Sequence, residues 1–204
     1  MGAGKTTLAR LLVGCMRPST GNIRLDGSDV WEWIESGSMR HIGYLPQSIG
    51  ILPATVAENI GRLGDFDEEA VVAAARLAGV HDIILRFPRG YDTLVGPGGH
   101  PISGGQRQLV GLARAVVGNP SLVVLDEPNS NLDGPGEESL RSCIRLLEEA
   151  GTTVVLISHR TDLVQQMKKV LLLKEGEIVG FGVTEEVYRR LGRPTVVRTS
   201  NVAQ

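Results

Sequence analysis

What this sequence of 204 residues lacks is the first guide to it. It has only two cysteines, Cys15 and Cys143, with no metal-ligand spacing and no sign of a disulfide framework. Both fall on apolar positions of predicted helices, which predicts reduced thiols in the core. Long apolar runs are also lacking. Stretches such as 122–125 are only a few residues long, against the ~20 that a membrane-spanning helix needs. A membrane role would therefore require separate spanning segments. The opening, glycines and a lysine before a short amphipathic helix, does not have the form of a secretory signal. Charge of one sign is lacking as well. A formal net charge of −2 argues against non-specific nucleic-acid binding. Aromatics make up only 4% of the chain, and Trp31 and Trp33, two apart, have no basic surround to support stacking on bases. They read as packing residues. The remainder, 42% hydrophobic and 22% charged, is the composition of an ordinary globule. The length fits one domain, and no internal repeat or low-complexity segment interrupts it.

What is present concentrates in 102–133, ISGGQRQLVGLARAVVGNPSLVVLDEPNSNLD. A polar, glycine-rich turn at Ser103, Gly104, Gly105 and Gln106 opens it. Leu109, Leu112, Ala113 and Val116 then recur at helical spacing, and Gly118 and Pro120 stop that helix. The apolar run 122–125 reads as a buried parallel strand and ends in two carboxylates, Asp126 and Glu127. Acids placed there sit at the edge where open α/β sheets bind ligands. One can hold Mg²⁺ while the other positions or activates a water.

At the other end of the chain, Gly4, Lys5 and Thr6 match the close of the phosphate-loop pattern G-x-x-x-x-G-K-[ST]. The pattern's first glycine, and the strand that feeds the loop, would lie ahead of Met1. Backbone N–H groups of Gly2, Ala3 and Gly4 at a helix N-terminus would face phosphate oxygens. Lys5 would neutralise the β and γ phosphates, the Thr6 hydroxyl would ligate Mg²⁺, and Thr7 would donate a further hydrogen bond. By itself this short match carries little weight; Asp126 downstream supplies the other half of a nucleotide site.

The order S-G-G-Q, helix, four apolar residues, D-E and then L-D resembles the core of an ABC-type ATPase domain. In that family S-G-G-Q is the signature, LVVLDE is the Walker B strand, and the loop ending in Leu132 and Asp133 is the D-loop. Ile102 stands where the signature usually begins with leucine. The resemblance implies an α/β fold: a P-loop NTPase-type parallel sheet flanked by helices, its first strands missing ahead of Met1. A helical subdomain over about 48–118 would lie within one ATP-binding domain covering 1–204. ATP and Mg²⁺ would be the cofactors, with Glu127 catalytic and Asp126 at the metal. Gln47, after a strand over 42–45, resembles the Q-loop that reports nucleotide and Mg²⁺ to the helical subdomain. His159, after a strand over 152–157, resembles the H-switch on the γ-phosphate. Ser103, Gly104, Gly105, Gln106 and Asp133 would meet the nucleotide held by a second copy. Residues 95–99 resemble the exporter X-loop, with Pro97 in place of the usual acid; on physics alone the same glycines make a hinge.

Elsewhere the pattern predicts a helix through Leu8, Leu11 and Leu12 with Gly14 near its end, and an edge strand over 21–26 turning at Asp26-Gly27. Residues 48–102 read as helical, with helices over 55–63 and 67–78. A helix through Leu140, Cys143, Ile144 and Leu147 ends at Gly151. A hairpin turns at Glu175-Gly176, a capped helix covers 184–191, and a frayed tail follows Gly192.

The phrases RLDG, IGYLPQ, TVAENI, VLDEPNSNLD and VVLISHR together resemble ATPase domains of type I secretion exporters, which pump polypeptides such as proteases. That implies a transmembrane partner domain, fused or separate, a homodimer closed around ATP, and no nucleic acid. It also implies membrane association through the partner, at the cytoplasmic face of a bacterial inner membrane. Two other readings stay open. ABC-type ATPases of DNA repair or translation would be expected to show coiled-coil insertions, zinc cysteines or basic patches, and the sequence has none of these. A catalytically inactive segment that only binds partners is the third.

Overall fold

The computed structural model describes residues 3–64 and 66–191, with residues 38, 39 and 191 described by their backbone alone. The chain divides into two compact units, Thr6–Ile157 and the segments on either side of it. At the start, α1 (Lys5–Leu12) bridges the division. The larger unit continues with β1 (Arg24–Leu25), β2 (Ser28–Asp29), α2 (Val30–Glu35) and β3 (Ile42–Leu45). Then come β4 (Ala54–Thr55), α3 (Val56–Ile60), α4 (Glu68–Leu77), α5 (His81–Ile84) and β5 (Leu94–Val95). It closes with α6 (Gly104–Val116), β6 (Leu122–Asp126), α7 (Gly134–Glu149) and β7 (Thr153–Ile157).

Three strands make the sheet that matters, in the order β3-β6-β7 and all parallel. Every residue of the central strand β6 is buried, which is why 122–125 is apolar without alternation. On one side Ala9 and Val13 from the first helix and Val30 from α2 pack with Ile42, Leu122, Val124 and Ile157. Trp31 and Trp33 join this cluster partly buried, in the packing role expected of them. On the other side α6 crosses β3 closely. A Cβ added at Gly43 would stand 1.9 Å from the Ala115 carbonyl oxygen, so only glycine admits this approach.

Helix starts follow cap chemistry. Thr55 and Glu58 form a reciprocal capping box at α3, and the Asp67 carboxylate accepts from Ala70 N–H (2.9 Å) at α4. Three expectations need correction. The helix over 55–63 ends at Ile60, because Arg62 and Leu63 turn left-handed at φ +53° and +63°. The stretch 48–102 is not wholly helical, since β4 and β5 pair antiparallel inside it. Cys15 is exposed and lies beyond the end of α1, outside the core; Cys143 is buried as expected. The helix stops short of Cys15 because Gly14 turns to φ +69° and Cys15 N–H caps the Arg10 carbonyl (2.8 Å).

The smaller unit, described by itself, contains α8 (Thr161–Val164), β8 (Lys169–Lys174), β9 (Glu177–Val183) and α9 (Thr184–Leu191). The two strands form a hairpin around Glu175 and Gly176, both at positive φ, as the Glu-Gly turn predicts. The Thr184 hydroxyl fastens the start of the last helix by donating to the Met167 carbonyl (2.6 Å). The tail after Gly192 lies outside the described residues. Among those residues no helix is long and apolar enough to cross a membrane.

Candidate functional site

The register of the parallel sheet sets one common edge. Leu45 pairs with Leu125, and Asp126 with Ile157, so the three strands end within one residue of one another. Asp126 is the last residue of β6 and is fully buried. Neither of its carboxylate oxygens has a hydrogen-bond partner among the described residues. A buried carboxylate without donors is costly on its own; a hard cation such as Mg²⁺, which takes oxygen ligands, fits that donor.

Glu127 follows, half-buried, with its backbone at φ +51°. That left-handed conformation is uncommon for glutamate, and strained residues of this kind cluster at functional sites. Backbone bonds hold it there: Glu127 N–H donates to the Ile157 carbonyl (2.8 Å), and the Glu127 carbonyl accepts from Ser130 N–H (3.2 Å). Gln47 lies two residues past the end of β3, exposed, beyond the same edge of the sheet. Tyr44, which the sequence reading passed over, is a neighbour of Asp126. Burial first, and then the Asp126 charge, push its phenol above the ordinary value; a hydrogen bond from the Arg10 side chain opposes them. The phenol therefore stays protonated at neutral pH.

At the phosphate-loop end, Thr6 is half-buried and Thr7 exposed, both in the first turn of α1. Ala3, Gly4 and Lys5 belong to the smaller unit, with Gly4 at φ +89°; Gly2 lies outside the described residues. His159 is also in the smaller unit and is exposed, two residues after the end of β7. Beside it Arg160 N–H donates to the Ser158 hydroxyl (3.0 Å).

The signature turn is built by a second capping box. The Ser103 hydroxyl accepts from Gln106 N–H (3.1 Å), and the Gln106 side-chain oxygen accepts from Ser103 N–H (2.8 Å). Gln106 thus braces the turn, and Ser103 keeps a hydroxyl proton to donate. Gly104 and Gly105 open α6 directly against Asn131, whose carbonyl oxygen would stand 3.1 Å from a Cβ at Gly105. Asp133 caps α7 by accepting from Gly136 N–H (3.0 Å), so one of its oxygens is committed within the chain. The glycine turn at 96–99 is closed by a bond from Gly99 N–H to the Gly96 carbonyl (3.0 Å).

The structure therefore brings Gln47, Asp126 and Glu127 to one sheet edge, and sets Ser103–Gly105 beside the loop that runs from Glu127 to Asp133. Sequence reasoning missed Tyr44, Gln108, Pro128 and Asn131. Only Gln108 left a signal, a polar residue next to the apolar face of the signature helix.

A family profile described as ABC transporter matches residues 1–130. The chain is 44% identical over 200 residues to the type I secretion system ATP-binding protein PrsD of Rhizobium meliloti (strain 1021), covering 98% of this chain and 34% of that protein. It is 37% identical over 192 residues to the ATP-dependent lipid A-core flippase of Chromohalobacter salexigens, covering 94% of this chain and 33% of the flippase. Among solved structures it resembles a bacterial Atm1-family ABC exporter with ATP bound, with a TM-score of 0.82 and 34% identity, covering 92% of this chain and 33% of that one. The chain spans about a third of the length of these relatives.

Proposed function

The chain belongs to the ABC transporter family as an ABC-type ATPase domain, and from that premise we propose that it binds and hydrolyses MgATP to power an exporter. The export reaction is type I secretion of polypeptides, the reading favoured by the 44% identity to a type I secretion ATP-binding protein. The domain works at the cytoplasmic face of the membrane, held there by a transmembrane partner domain.

One observation carries the proposal: a fully buried, unpartnered carboxylate, Asp126, followed at once by a backbone-strained Glu127 at the C-terminal edge of a parallel sheet. Asp126, Thr6 and Gln47 would hold Mg²⁺, which supplies charge neutralisation across the phosphate oxygens when bound. Lys5 neutralises the β and γ phosphates, and the backbone of Gly2, Ala3 and Gly4 with the Thr7 hydroxyl cradles them. Glu127 accepts hydrogen bonds from the attacking water and aims it at the γ-phosphate. His159 contacts that phosphate, and Gln47 reports its presence to the segment 48–118, the helical subdomain. Ser103, Gly104, Gly105 and Gln106, with Asp133 beside them, face the nucleotide of a second copy of the domain.

Glu127→Gln keeps the shape of the side chain and removes its basicity. It is expected to lower turnover by roughly 10²-fold or more, in the range of general-base losses, with nucleotide affinity unchanged. Steady-state hydrolysis and a fluorescent-nucleotide titration read the two quantities separately. Turnover equal to wild type would remove Glu127 from the chemistry.

A further inference from the structure

Few polar side chains are buried among the described residues of the larger unit: Asn59, Thr93, Gln108 and Asp126. Thr93 serves a local turn, accepting from Arg89 N–H (3.0 Å), and Asn59 ties the 52–59 turn to Arg114, accepting from Leu52 N–H (3.0 Å) and from the Arg114 guanidinium (2.6 Å), away from the sheet edge. Asp126 belongs to the nucleotide site. Gln108 is different. It is 2% exposed, on the inner face of α6, and its bond reaches 20 residues along the chain. The side-chain amide Nε2 donates to the Pro128 carbonyl at 2.8 Å. That acceptor fixes the amide's orientation, because a carbonyl oxygen can only accept.

Pro128 is buried and immediately follows Glu127. As a proline it has no N–H, so its carbonyl is the only backbone group through which it can be tied. On the near side, Glu127 is held by its own N–H on Ile157. Its carbonyl accepts from Ser130 N–H, a bond within the same loop, and across Pro128 the Gln108 amide supplies the tie to another element. Held by these bonds Glu127 keeps its left-handed backbone, which needs support from its surroundings. The other end of the link is equally defined. Gln108 is five residues after Ser103 on one continuous helix, about 7.5 Å along its axis.

We infer that Gln108 is a positioning residue: it holds the Pro128 carbonyl so that the Glu127 carboxylate is aimed, and it makes that aim follow the position of the helix that begins at Ser103. Contact of Ser103 with one nucleotide is thereby passed to the residue that aims water at the other. The role rests on the reading of Glu127 given above.

The test uses the complete exporter and the substitution Gln108→Met, which keeps the volume and removes the donor. Turnover should fall roughly tenfold to a hundredfold, the scale of a misplaced reacting group, while the KM for MgATP stays within about twofold. In a Glu127→Gln background the same substitution should cost nothing further, since the group it aims is already gone. Amide exchange gives a readout independent of turnover. The Ser130 N–H, which bonds to the Glu127 carbonyl, should exchange about tenfold faster, while Val123 and Val124 in β6 stay as protected as in wild type. If Gln108→Met does not fold, Gln108→Asn, polar but too short to reach Pro128, gives the same readings. Unchanged turnover with unchanged Ser130 exchange overturns the inference. So does a loss that multiplies in the Glu127→Gln background, which would mark a general structural effect. Glu127→Gln turning over like wild type would instead sink the reading of Glu127, and this role with it. Full turnover in Gln108→Met beside an inactive Glu127→Gln sinks the role of Gln108 alone.

Discussion

Cys143 and Cys15 carry the same side chain and opposite chemistry. Cys143 faces inward from α7, and burial pushes its thiol up to about 12, so no reactive thiolate forms near neutral pH. Cys15 is exposed just past the end of α1. Native protein treated with an excess of a thiol reagent should therefore take one label, at Cys15, and a second only after denaturation. Mass spectrometry of the labelled peptides reads this directly, and label on Cys143 in native protein would contradict its burial. The same shift has a pH consequence. The unfolded thiol loses its proton near 9.0, while the folded one keeps it to about 12. The folded state then holds more protons, so this group's contribution to stability falls as pH rises through that window and is constant below it. Urea midpoints taken from neutral to alkaline pH should show a component of the decline that Cys143→Ala removes. The sequence made both thiols look like core residues. The sequence set the helix end near Gly14 without fixing on which side of it Cys15 falls, and the left-handed turn at Gly14 puts Cys15 beyond the end.

At the scale of elements, the close crossing of β3 and α6 ties the Gln47 edge of the sheet to the signature helix. Gly43→Ala places a methyl group into the Ala115 carbonyl, a backbone atom that cannot rotate away. Either the helix or the strand must shift. The expected cost is about 1–3 kcal/mol, as for other overpacked sites, seen as a lower urea midpoint with unchanged slope. A variant as stable as wild type would mean that the two elements do not meet this closely. The positions of β3, α6, β6 and β7 were legible because each is a continuous apolar or periodic run bounded by Gly, Pro or acid. The placement of the two candidate acids was legible for the same reason: Asp126 ends a strand and Glu127 follows it, at the edge where open α/β sheets bind ligands. The reach of single side chains across the fold was not legible. Arg114 sits in the signature helix, yet its guanidinium donates to the Gly50 carbonyl (2.9 Å), the Asn59 carbonyl (2.6 Å) and Asn59 Oδ1 (2.6 Å). Burial, and then the Arg62 charge, lower its pKa, and these carbonyl acceptors stabilise the cation. Gln108 is the same kind of case. Nothing in the spacing of residues 50, 59, 114 or 108 and 128 announces that they touch; the β4–β5 pair escaped notice because strands of two residues have no period to detect.

For the molecule as a whole, the question is what the signature helix is for. Its N-terminus offers exposed Ser103 and Gly104 and the positive end of a 13-residue helix. Such an end favours an anion. The chain has a phosphate-loop ending of its own at Gly4, Lys5 and Thr6, the cradle proposed for one nucleotide. Two cradles per chain are explained if each serves a different ATP, shared between two copies related by a two-fold axis. In the proposed pair Asp133 would lie at the interface, the second copy would complete each site, and hydrolysis of the shared γ-phosphate would let the pair open and move a membrane partner. Blocking hydrolysis should therefore trap the closed pair. Glu127→Gln protein, first shown to bind nucleotide by titration, should double in mass by light scattering when MgATP is added, and should not do so with MgADP. Adding Ser103→Arg, which puts a bulky cation where the phosphate must enter, should abolish the doubling while leaving nucleotide bound at the molecule's own phosphate loop. A Glu127→Gln protein that stays monomeric with MgATP bound would show that the signature end of α6 faces something other than a second copy's nucleotide.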